Sequence, residues 1–237
     1  MDGQSGLMLF GAGITGGVVT AIVGGASLIT FPALLAAGLP PIVANASNTV
    51  ALTPGNLVAG LADRERLPRW DRSLLGLMVV CVAGSVAGAT LLLVTPEKAF
   101  AALVPLLIGF ATILFAVSGR IRSWIQSRAG ATGPGLWSSE RLRALLCAPV
   151  AVYGGYFGAG MSKNLLSGLT SFVAVVVFVL QGVVAWPPTI VMMAGAIVGG
   201  FLGGRLARVL PPDIVRWIVI VVGTILTLVY AWRYWLR

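Results

Sequence analysis

Apolar residues in this chain come in long unbroken runs, with no alternation of period two and no single amphipathic stripe. Runs of that length are the pattern of helices that cross a bilayer. The first covers about Leu7 to Val23, and a shorter one, Leu28 to Leu39, is interrupted by Pro32. Ile42 to Ala62, Leu74 to Val94 and Ala99 to Val117 follow. After a polar stretch the pattern resumes with Leu142 to Met161, Leu165 to Ala185, Thr189 to Ala207 and Ile214 to Trp232. The fold expected is all-α: a polytopic transmembrane helical bundle with broken or re-entrant helices. The expected organisation is an N-terminal repeat over 1–118, a cytoplasmic linker over 119–140 and a C-terminal repeat over 141–237.

The halves resemble each other. Each contains a span, a loop, a span, a tight turn and a final span. Gly84 and Gly88 match Gly199 and Gly203, and the turn at Pro96-Glu97 matches Pro212-Asp213. Charge is placed oppositely in the two halves. Arg64, Arg66, Arg69 and Arg72 crowd one loop of the first half, whereas the matching Trp186-Pro187-Pro188 of the second is an uncharged loop. The near-neutral turn of the first half becomes one flanked by Arg205, Arg208 and Arg216. Lys and Arg mark the cytoplasmic side, so this exchange predicts inverted-topology repeats, a hallmark of secondary transporters. The second half is one element short after Ser162, where about one helix is missing: a deletion, natural or engineered, or a segment closed up in the numbering.

Composition agrees with the pattern. The chain of 237 residues is 58% hydrophobic and 10% charged, with a mean hydropathy of +0.98. Soluble domains carry about 25% charged residues. The net charge of +9 lies at the ends of apolar runs and not in a stripe interleaved with aromatics, so no nucleic-acid partner is expected. With no His, and with Cys81 and Cys147 in separate apolar stretches, no metal site, disulfide framework or cofactor is expected. The N-terminus lacks a basic segment, so the first run is not expected to be a cleaved signal.

One segment is specific. "GGVVTAIVGGASLITFPALLAAGLPPIVANASNTVAL" resembles the signature of the sulfite exporter TauE/SafE family, in which a Gly-rich first helix leads to a Pro- and Ala-rich motif. The second half carries only a degraded copy, "GGYFGAGMSKNLLSG", and "GAIVGGFLGGRLARVLPPDIVRWIVIVVG" is similar to the family's second-half ending. The resemblance implies a permease, mostly exporting, for sulfite, sulfonates and related organosulfur anions in the inner (plasma) membrane. It implies no enzymatic activity.

Polar residues within apolar runs need a reason. Asn45, Ser47, Asn48 and Thr49 form the richest cluster. Lys163, Asn164 and Ser167 occupy the matching place in the second half, where Asn48 and Asn164 align. These residues form the candidate substrate site, with side-chain amides and helix N-termini as oxyanion donors and Lys163 as a counter-charge. The alternatives are helix-to-helix hydrogen bonding and, for Lys163, snorkelling to an interface. Every acid (Asp2, Asp63, Glu65, Asp71, Glu97, Glu140 and Asp213) lies in a loop or at an end, which disfavours proton coupling through a carboxylate. Expected partners are a small anion, the lipid bilayer and, as an admissible assembly, a second copy. A non-transporting scaffold subunit is the competing reading. An intramembrane enzyme built on Ser162-Lys163 is weak, because adjacent helical residues point apart.

Overall fold

The computed structural model describes residues 2–62, 72–129, 140–157, 165–206 and 212–235. Among them the chain is helical, with no strand. The elements are α1 (Gly3–Ile22), α2 (Ser27–Ala36), α3 (Pro41–Ala62), α4 (Arg72–Val94), α5 (Glu97–Ala129), α6 (Glu140–Phe157), α7 (Leu165–Leu180), α8 (Trp186–Leu206) and α9 (Pro212–Trp235). Five of these are long and apolar enough to cross a bilayer. Large apolar side chains cover the outside, including Leu7, Val79, Val94, Ile113, Phe201, Trp217 and Leu228. The buried set includes Ser27, Thr30, Asn45, Ser47, Asn48, Thr49, Ser85 and Thr189. Apolar residues outside and hydroxyls and amides inside suit a molecule whose solvent is lipid.

The helix ends follow from local sequence. Gly24 and Gly25 take φ of 83° and 82°, the left-handed region that glycine enters freely, and there α1 stops and the chain swings into α2. Gly38 ends α2 at φ 88°. The Leu39 N–H reaches the Leu34 carbonyl at 3.2 Å and the Gly38 N–H reaches Leu35 at 3.1 Å, the paired bonds of a Schellman stop. Gly182 closes α7 in the same way, through Val183 to Phe178 and Gly182 to Val179. Proline then opens the following helix in both halves. Pro41 starts α3, and Pro187 and Pro188 sit in the first turn of α8, where a missing N–H costs nothing. The expected loop at Trp186-Pro187-Pro188 is therefore the helix start. The helix of α5 likewise continues past Val117 to Ala129, into the stretch expected as linker.

Two helix pairs cross at backbone contact. α1 meets α8, and α4 meets α6. A Cβ on Gly17 would land on the Ala196 carbonyl oxygen, and one on Gly199 on that of Ile14. In the second pair a Cβ on Gly88 would land on the Val152 carbonyl, and one on Gly155 on that of Ser85. Without a hydrophobic force between helices in lipid, such close approach supplies the attraction by dispersion. The partners exchange between halves. The first helix of each half crosses the penultimate helix of the other, α5 pairs with α9, and α3 with α7.

Among the described residues α2 has no counterpart in that exchange. Residues 23–40 connect α1 to α3, but only 158–164 connect α6 to α7, and these lie outside the described residues. α6 carries aromatics near its end. Tyr153 packs on Phe110 of α5 (centroids 5.4 Å) and Tyr156 on Phe100 (5.7 Å), while Phe157 meets Phe31 of α2 (5.4 Å).

Candidate functional site

The centre of the polar interior is where α2 meets α3. α2 is a short helix whose N-cap Ala26 and first residues, Ser27 and Leu28, are all buried. Ser27 and Thr30, three residues apart, lie on one face of it and both meet Asn48 of α3. The Asn48 amide nitrogen donates to Ser27 Oγ at 3.1 Å, and its Oδ1 accepts from the Thr30 hydroxyl at 2.5 Å. The Thr30 hydroxyl also lies 3.0 Å from the Ala26 carbonyl, but its one proton suits the shorter contact. Tyr230 of α9 donates to the Pro32 carbonyl at 3.3 Å, fixing the far side of α2.

The rest of the cluster ties α3 to the second half. Ser47 Oγ accepts the Ala185 N–H, just before α8, at 3.0 Å. Asn45 donates through Nδ2 to the Tyr156 carbonyl of α6 at 2.8 Å. Its Oδ1, fully buried, has no hydrogen-bond partner among the described residues. Thr49 gives its proton to the Asn45 carbonyl at 2.9 Å, and Thr53 gives its own to Thr49 at 2.7 Å. Both are bonds within the helix. On the opposite side Ser85 of α4 donates to the Thr170 carbonyl of α7 at 2.6 Å. At the near end of α3, Glu97 Oε1 accepts the Ile42 N–H at 3.1 Å, placing a carboxylate at the positive end of that helix.

The structure thus brings Asn45, Ser47, Asn48 and Thr49 together on successive faces of one buried helix segment, each with a different neighbour. Lys163 and Asn164 lie outside the described residues, and so does the side chain of Ser167 on α7. Cys81 and Cys147 are free thiols on α4 and α6. No group of three or more His, Cys, Asp or Glu is gathered among the described residues. Sequence reasoning missed the pairing of Asn48 with Thr30, although the Ser27/Thr30 spacing displays it. The Tyr156 carbonyl carries no sequence signal at all.

Membrane-crossing helices around a buried polar centre, with one helix broken at a glycine pair, define a polytopic membrane protein of transporter type. The particular family follows from comparison. The model of the sulfite exporter TauE/SafE family matches residues 9–163 and 161–230, and the chain belongs to that family. Curated relatives agree. A "Probable membrane transporter protein" of Haemophilus influenzae is 26% identical, aligned over 93% of this chain and 92% of its own length. The "Probable membrane transporter protein YfcA" of Escherichia coli K12 is 23% identical, over 93% and 87%. The "Probable membrane transporter protein ORF9" of Sinorhizobium sp. is 25% identical, over 93% and 90%. No solved structure matches the chain.

Proposed function

We propose that this membrane transporter is a permease exporting sulfite, sulfonates or related small organosulfur anions across the inner (plasma) membrane. The observation that carries the reading is the N-terminal end of α2, broken from α1 at Gly24-Gly25 and buried against Asn48. A half-helix whose N-terminus is buried among polar side chains turns the positive end of its dipole toward an anion. Transporters of inverted-repeat design place substrates at such ends. The exchange of partners between 1–118 and 141–237 supports two related halves that rock against each other around this point. Asn45, Ser47, Asn48 and Thr49 line the site from α3, and Lys163, Asn164 and Ser167 complete it from the second half. The family match comes in two parts that meet at 161–163, the place where the second half is expected to be short of an element, and this fits a one-sided α2.

The energy source in this reading is the membrane potential. The acids among the described residues, Asp2, Glu97, Glu140 and Asp213, sit at helix ends, so no carboxylate among them is placed as a proton carrier within a span. A monoanion leaving a negative interior gains about 2.3 kcal/mol per 100 mV. The test is binding of sulfite and methanesulfonate to purified protein, with Asn48→Ala and Lys163→Ala beside the wild type. Both substitutions should weaken binding. A wild type that binds neither anion would return the molecule to the scaffold reading.

A further inference from the structure

Asn45 carries the one buried side-chain polar atom without a partner among the described residues, its Oδ1. The orientation of the amide is decided by its neighbour. Nδ2 stands 2.8 Å from the Tyr156 carbonyl oxygen, and the reversed amide would set two oxygens at that distance. The unpartnered atom is therefore an acceptor. The threonine hydroxyls one and two turns further along α3 do not serve it. Thr49 gives its proton to the Asn45 carbonyl, and Thr53 gives its own to Thr49. Asn48, one turn away, is held on both amide atoms by Ser27 and Thr30.

An unpaired acceptor buried in low dielectric is costly, and a native core rarely keeps one without a use. A plain oxyanion cannot satisfy it, because oxygens would face oxygen. A group with an O–H or N–H can. We propose that Asn45 Oδ1 is the acceptor for a donor group on the transported anion. The site then takes donor-bearing monoanions, such as hydrogen sulfite or hydroxyalkanesulfonates, in preference to anions with acceptors only. The inference rests on the anion-permease reading and adds to it a specificity residue and the protonation state of the cargo.

The matched pair 2-hydroxyethanesulfonate and ethanesulfonate tests it, since the two share charge and differ by one hydroxyl. Sites that hydrogen-bond a substrate hydroxyl discriminate strongly against the analogue lacking it, so at least about tenfold tighter binding of the hydroxylated member is expected. Asn45→Leu should reduce that ratio to near one by weakening binding of the hydroxylated member more than that of ethanesulfonate. If the variant does not fold, the wild-type ratio alone decides: equal affinity overturns the proposal. Equal binding of both members leaves the permease reading standing, whereas binding of neither removes both. A ratio of one together with a requirement for Na⁺ over K⁺ would hand Oδ1 to a cation and overturn the proposal as well.

Discussion

The crossing of α1 and α8 makes a sharp stability contrast between adjacent residues. Gly199 and Gly200 share one helix and one composition. An added Cβ on Gly199 would sit 2.7 Å from both the carbonyl carbon and the Cα of Ile14, besides striking its oxygen. Ordinary carbon contact is about 3.5–4.0 Å, so α1 would have to retreat by about 1 Å. The obstacle is backbone, which no rotamer change can move aside. A Cβ on Gly200 would meet nothing within 4 Å. Replacing glycine by alanine in a helix gains up to about 1 kcal/mol of propensity at either site. At Gly199 the overpacking cost of about 1–3 kcal/mol outweighs it. Gly199→Ala should therefore lower, and Gly200→Ala maintain or raise, the midpoint of thermal unfolding in detergent followed by tryptophan fluorescence. The expected separation is about 2 kcal/mol. Equal shifts in the two variants would refute the close crossing.

Three further outcomes follow from the polar interior. Thr30→Val should destabilise by about 0.6–1.7 kcal/mol and Asn48→Leu, which also loses the bond to Ser27, by more, and a double-mutant cycle by denaturant titration should show positive coupling because both remove the Thr30–Asn48 bond. Glu97→Ala, which removes the acceptor at the start of α3, should cost about 0.5–2 kcal/mol in the same assay, with Glu97→Gln intermediate. Arg216→Met should loosen α9 from α5, because its guanidinium donates to the Phe115 and Ala116 carbonyls at 3.0 and 2.9 Å; faster hydrogen exchange confined to those helices is the readout.

Much of the fold was legible because long apolar runs report helices directly. Each run expected from Leu7 to Trp232 has its helix, and the errors lie at ends where proline or arginine disguised a helical turn. Pro187 and Pro188 read as a loop because proline breaks helices in their interior, yet it fits their first turn. The arginines after Gly119 read as a linker because polarity says nothing about whether a helix continues beyond a span. The site was legible as residue types but not as partnerships. Asn45, Ser47, Asn48 and Thr49 were visible as costly polar groups in an apolar run. That Asn48 is held by α2 while Asn45 reaches the α6 backbone depends on how the halves cross, and no local spacing encodes that.

The central claim, that this family member carries small anions outward, is tested most directly by sulfite efflux from proteoliposomes with an imposed inside-negative potential. At about 60 mV the account predicts net outward movement of a monoanion up to roughly a tenfold concentration ratio, reversing when the potential is reversed. Efflux that ignores the voltage, or no protein-dependent efflux at all, would contradict it.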